Sequence, residues 1–119
     1  MYILLTGGIS GLVKGVARAP DIAEEDIEAM MSTNVVGLIR MTQAILPTFK
    51  RRPDGGHGDI INIGSVAGRE GYPGGSVYCA TKAAMKTFTD ALRRELLDTR
   101  IRVINIDPGQ VETVCPFYC

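Results

Sequence analysis

The chain has 119 residues, enough for one domain with a modest core and too few for two. Its hydrophobic fraction of 45% and charged fraction of 22% are those of a globular protein in water. Thirteen basic residues cancel thirteen acidic ones, which argues against a nucleic-acid partner, and the apolar runs are strand-sized, which argues against a membrane span.

In chain order, YILLTGG is an apolar run ending in glycines, expected as a buried strand that runs into a turn. MYILL is too short, and lacks the basic flank, for a signal peptide. ISGLVKGVARAP has no helical period and reads as loop. Asp21 with Glu24 three residues on is a candidate capping box for a short helix through about Met31. Val35, Leu38, Ile39, Ile45, Leu46 and Phe49 recur at helical spacing and predict a longer helix over roughly 32–51, with Pro47 kinking or ending it late.

RRPDGGHG then reads as a loop. DIINIGS is a second strand whose near-continuous apolar character predicts burial on both faces, as in a parallel sheet. The glycine-rich AGREGYPGG leads into a helix from about Ser76 to Leu97, with Ala80, Ala83, Ala84, Phe88, Ala91, Leu92 and Leu96 as its expected packing face. RIRVINI is a third strand, stopped by DPG. This alternation predicts a single α/β domain over 1–119: a partial doubly wound parallel sheet of three recognisable strands with long crossover helices.

The cysteine count is odd, three, and no secretory context argues for disulfides. Cys115 and Cys119 have a spacing that suits a metal, but the single histidine, His57, falls in the DGGHGD loop, so no metal site is expected. Reduced thiols in the cytoplasm are the default.

In open α/β sheets the ligand crevice lies at the carboxyl ends of the strands. TGG after the first strand, Ser65 after the second and DPGQVET after the third all fall there. Tyr78 and Lys82 follow Ser65 by one loop and share a helix face, since positions i and i+4 have Cβ atoms about 5–6 Å apart. A phenol, with a reference pKa of about 10, gives up its proton reluctantly. An ammonium held beside it favours the ionised form. Ser65 is placed to donate to a carbonyl oxygen that the phenol protonates, the equipment for carbonyl reduction or, in reverse, alcohol oxidation. Each feature alone has a plainer explanation: a helix-surface pair, a turn serine, a Pro-Gly turn. Their combination, in this order, argues against coincidence.

NVVGLIRMTQAILPTF, GDIINIGSVAGREGYPGGSVYCATKAAMKTFTDALRREL and IRVINIDPGQVET resemble the second half of a short-chain dehydrogenase/reductase domain, over roughly residues 12–114. The resemblance implies a Rossmann-like NAD(P)-binding fold and hydride transfer between a nicotinamide cofactor, NADP with NAD also open, and a small hydroxyl or carbonyl substrate. It implies Tyr78 as acid/base, Lys82 as the group that tunes it and holds the nicotinamide ribose, and Ser65 as the donor that orients the substrate oxygen. Asn34 would support a proton-relay water through a helix irregularity. Cofactor contacts are implied at Thr6, Gly7, Gly11, Asn34, Tyr78, Lys82, Pro108, Gly109, Val111 and Thr113. Within the family, GREGYPGGSVYCATK and LRRELLDTRIRV are most similar to NADP-dependent 3-hydroxy acid (serine-type) dehydrogenases. The family's paired helices imply a homo-oligomer formed through the helices near 32–51 and 76–97.

The chain also departs from the family. TGGISGLVKG starts as the cofactor turn does, with Thr6, Gly7 and Gly11, but Val13 stands where its last glycine belongs and no helix-forming run follows. The pyrophosphate would then lack a helix N-terminus. The strand whose charged residue reads the adenine ribose has no counterpart, and Asp26, at about the right separation, falls on a helix. The first strand reads as if joined directly to the segment that follows the family's fourth strand, and both ends read as cut. The competing expectation is therefore a shortened, non-catalytic family member that acts as a helix-mediated interaction module.

Overall fold

A computed structural model describes residues 3–6, 13 and 17–110. Three strands, β1 (Ile3–Thr6), β2 (His57–Ile63) and β3 (Arg100–Ile106), form one parallel sheet in the order β1-β2-β3. Between β1 and β2 lie a 3₁₀ turn (Ala19–Asp21), α1 (Glu24–Met31), a π-helical segment (Ser32–Val36) and α2 (Gly37–Lys50). Between β2 and β3 lie a 3₁₀ turn (Val66–Gly68) and α3 (Ser76–Glu95).

The register aligns Leu4, Ile60 and Val103 across the three strands, so their side chains share one face. On that face they pack with Ile45, Leu46 and Phe49 of α2, and with Phe88, Leu92 and Leu96 of α3 and its end. Strands laid down in sequence order by crossovers of one hand put their connecting helices on one side. The opposite face carries Ile3 and Leu5 of β1 and Ile104 and Ile106 of β3, all exposed, and no helix among the described residues covers it. The expectation of a buried first strand therefore fails on one face. β1 is an edge strand with Leu4 turned to the core, while Ile3 and Leu5 are 46% and 60% exposed.

Local sequence explains most element boundaries, with three differences. The Asp21–Glu24 capping box does not form: Asp21 closes the 3₁₀ turn, and α1 starts after Ala23 with no side-chain cap. α1 and α2 are not separate helices, because Met31, Ser32, Val36 and Gly37 all keep right-handed helical dihedrals through the π segment. Pro47 lies inside α2 near its end, and the helix stops three residues later at Lys50. The following turn has Asp54, Gly55 and Gly56 at φ of 64°, 82° and 90°, the left-handed region open to glycine and tolerated by aspartate. β2 begins at His57, earlier than expected, because Gly58 lets the strand pass under Phe49. A Cβ at position 58 would lie 2.5 Å from that ring.

Of the expected packing face of α3, Phe88, Leu92 and Leu96 pack in the core, but Ala80 and Ala91 are exposed, and Cys79, Thr81, Lys82, Met85 and Thr89 are buried as well. Polar residues occupy this interface because each hydroxyl finds a partner. Thr89 donates to the Met85 carbonyl at 2.8 Å and accepts from Asn62 Nδ2 at 2.8 Å.

Candidate active site

β2 ends at Ile63, and Gly64 and Ser65 leave the sheet at its carboxyl end. Ser65 is extended (φ −168°, ψ 152°) and caps the 3₁₀ turn, its Oγ accepting from the Ala67 N–H at 3.1 Å. This is the plainer role that the sequence allowed for the serine, and the hydroxyl hydrogen is left to point elsewhere. The turn then packs on α3, where a Cβ at Gly68 would lie 2.8 Å from the backbone of Lys82. Close backbone approach thus brings the Ser65 segment against the helix turn that carries Lys82.

Tyr78 sits in the first turn of α3, half-buried, and Lys82 one turn on. The Lys82 side chain is 1% exposed as a residue and donates to the Ile63 carbonyl at 3.1 Å, which pins it to the end of β2. Its Nζ lies 5.7 Å from the centre of the Tyr78 ring. Burial pushes the Lys82 pKa below the usual lysine value, and the Asp107 carboxylate opposes that shift.

Asn34 is buried in the middle of the π segment and donates to Thr81 Oγ1 at 3.1 Å. Thr81 in turn donates to the Tyr78 carbonyl at 2.7 Å. A π-helical insertion changes the backbone hydrogen-bond register, and such insertions cluster at functional sites. Here it sets Asn34 against the turn of α3 between Tyr78 and Lys82. Sequence reading singled out Asn34 and expected a helix irregularity there, but not Thr81, the residue that links it to the tyrosine.

Pro108 lies just past β3, and its carbonyl accepts from the Val66 N–H at 3.1 Å, so the Pro-Gly segment borders the Ser65 turn. Gly109 beside it is exposed. Thr6 is the last residue of β1, paired in register with Asn62. Gly7, Gly11, Val111 and Thr113 lie outside the described residues, as do Cys115 and Cys119. A small cleft lined by Val13, Ile22, Met30, Tyr72 and Val77 reaches Tyr78. Ser65, Tyr78, Lys82, Asn34 and Pro108 therefore gather around the carboxyl ends of β2 and β3. Arg69, Asn105 and Asp107, which join them there, were not singled out in the sequence, because nothing local to either segment shows that Arg69 and Asp107 meet across 38 residues.

The sequence profile of the short chain dehydrogenase family matches residues 2–116. The chain belongs to that family. Among similar short chain dehydrogenases is the NADP-dependent 3-hydroxy acid dehydrogenase of Schizosaccharomyces pombe, 51% identical over 104 residues that cover 87% of this chain and 39% of the relative. The NADP-dependent 3-hydroxy acid dehydrogenase YdfG of Escherichia coli is 47% identical over 102 residues, covering 86% of this chain and 40% of that protein. A solved serine dehydrogenase in its closed form with NADP+ superposes with a TM-score of 0.83 at 45% identity, covering 92% of this chain and 42% of the other. The chain thus spans about two fifths of the length of these short chain dehydrogenases. Among its described residues, no helix is long and apolar enough to cross a membrane.

Proposed function

We propose that this chain carries the proton-transfer face of an NADP-dependent oxidoreductase acting on a hydroxyl or carbonyl substrate, with a 3-hydroxy acid as the favoured class. The observation that carries the reading is the buried Lys82 ammonium, held at the end of β2 and facing the Tyr78 ring one turn away. The names of the similar dehydrogenases support NADP and the 3-hydroxy acid.

The donor set at this end of the sheet suits the nicotinamide half of a dinucleotide. Lys82 has three N–H donors, and among the described residues its one hydrogen-bond partner is Ile63. That leaves donors for the hydroxyls of a ribose. Pro108 and Gly109 border the same space, and Thr6 ends β1 on its other side. When bound, the cofactor supplies or accepts the hydride. The chain's own part is to move the proton at Tyr78 Oη, to orient the substrate oxygen through Ser65, and to hold a positive charge beside the phenol through Lys82. Asn34 fixes the turn that presents them.

The oligomer in this reading is a dimer formed through α2 and α3, supported by Val36 and Met41, which are 39% and 52% exposed where the helical run turns from the sheet. The free thiol of buried Cys79 fits a reducing cytoplasmic setting. The same exposed helix residues favour the second reading, an interaction module without turnover. Comparing the chain with Tyr78→Phe in an NADPH-oxidation assay on 3-oxo acids separates the two. Turnover that the variant reduces by about a thousandfold or more supports the enzyme. Turnover equal in both rejects the role given to Tyr78, and its absence in both favours the module.

A further inference from the structure

Asp107, the first residue after β3, has a side chain only 7% exposed. Its Oδ2 receives both Nε and Nη2 of Arg69, each at 2.8 Å, and its Oδ1 receives Asn105 Nδ2 at 2.6 Å. The carboxylate rests on Gly64, where any Cβ would run into Oδ1. A largely buried carboxylate is costly unless donors satisfy it, and Arg69, itself 60% exposed, reaches in from the far end of the Ser65 turn to do so.

The backbone already ties the start of this turn to β3, through Gly64 N–H to the Ile106 carbonyl and Val66 N–H to the Pro108 carbonyl. Those bonds leave the end of the turn, residues 68–69, without a tie to β3. Arg69 supplies it. We infer that Asp107 is a positioning residue: with Arg69 it clasps the Ser65 turn to the Pro108–Gly109 segment. Its place in the site rests on the function proposed above; its structural action does not.

The test uses the full chain with Arg69→Met, Arg69→Lys and the isosteric Asp107→Asn. Amide hydrogen exchange is read at Val66, Gly68 and Arg69. Arg69→Met should speed exchange at these amides about tenfold while the global unfolding midpoint holds, since a charge-assisted pair to an exposed arginine is lost. Arg69→Lys should restore part of the protection. Asp107→Asn should speed exchange at the same amides. Unchanged exchange in Arg69→Met or in Asp107→Asn would overturn the clasp. Faster exchange in both variants, with a parent chain that binds no NADPH, would count against the proposed function and leave the clasp standing.

Discussion

The ammonium of Lys82 faces the ring of Tyr78 at 5.7 Å and is fixed there by the carbonyl of Ile63, the last residue of the central strand. A cation on a flexible four-carbon stem has no reason to lie buried against a strand end for stability alone, because desolvating it is costly. In the function proposed above, this ammonium is the positive charge held beside the phenol.

Removing that charge should therefore not harm the fold. Burial holds the Lys82 pKa below its usual value, so the unfolded chain binds more protons than the folded one between the folded pKa and the ordinary lysine range. Stability from this group thus rises as pH increases through that window, and below it the full penalty of the buried charge is present. Lys82→Met should be as stable as the parent at pH 7 or more stable by about 1 kcal/mol, and should lack the alkaline rise. Urea melts from pH 7 to 10.5 check both points. A variant several kcal/mol less stable would show the ammonium to be a structural tie.

Asp59 and Arg102 behave in the opposite sense. They are register partners on the uncovered sheet face and form a bidentate pair at 2.6 and 2.7 Å. The Arg102 guanidinium holds the Asp59 carboxyl below the usual carboxylate range. Its stabilisation is complete above the unfolded carboxylate pKa of about 3.9 and is lost as pH falls through the lower folded value. Arg102→Gln should flatten the acid limb of the stability profile and leave the NADPH response alone. An identical acid limb in the variant would remove this pair as a cause.

The exposed isoleucine and leucine side chains of the sheet face, Ile3, Leu5, Ile104 and Ile106, form a second testable feature. Apolar surface of this kind binds hydrophobic probes. Leu5→Lys with Ile104→Lys should reduce binding of a hydrophobic dye, with little change in unfolding midpoint, and should leave the mass in light scattering unchanged, because the proposed dimer forms through α2 and α3. A shift of the mass toward the monomer would place association on the sheet face instead.

Strand positions and the parallel sheet were legible because each strand is an apolar run of its own, bounded by glycine or Pro-Gly. Tyr78, Lys82 and Ser65 were legible as a spaced set whose chemistry makes sense only together, and Asn34 only through the family resemblance. What escaped reading was polar and buried. Thr81, Thr89 and Asn62 pass for surface residues in a sequence, because their burial depends on partners far along the chain, as Asn34 is for Thr81. On α3, Phe88, Leu92 and Leu96 pack as expected while Ala80 and Ala91 do not, for the same reason: threonines satisfied by hydrogen bonds are buried beside them. The Arg69–Asp107 pair, 38 residues apart, carries no local signal.

The central claim is that the Lys82 side of this sheet receives the nicotinamide half of NADP. Saturation-transfer NMR with NADPH, run beside calorimetry, tests it most directly. The account predicts weak binding, with a Kd of about 1 mM, equivalent to about 4 kcal/mol. Saturation should be strongest on the nicotinamide and its ribose and should be lost in Lys82→Ala. Saturation confined to the adenine protons, or binding unchanged in Lys82→Ala, would contradict it.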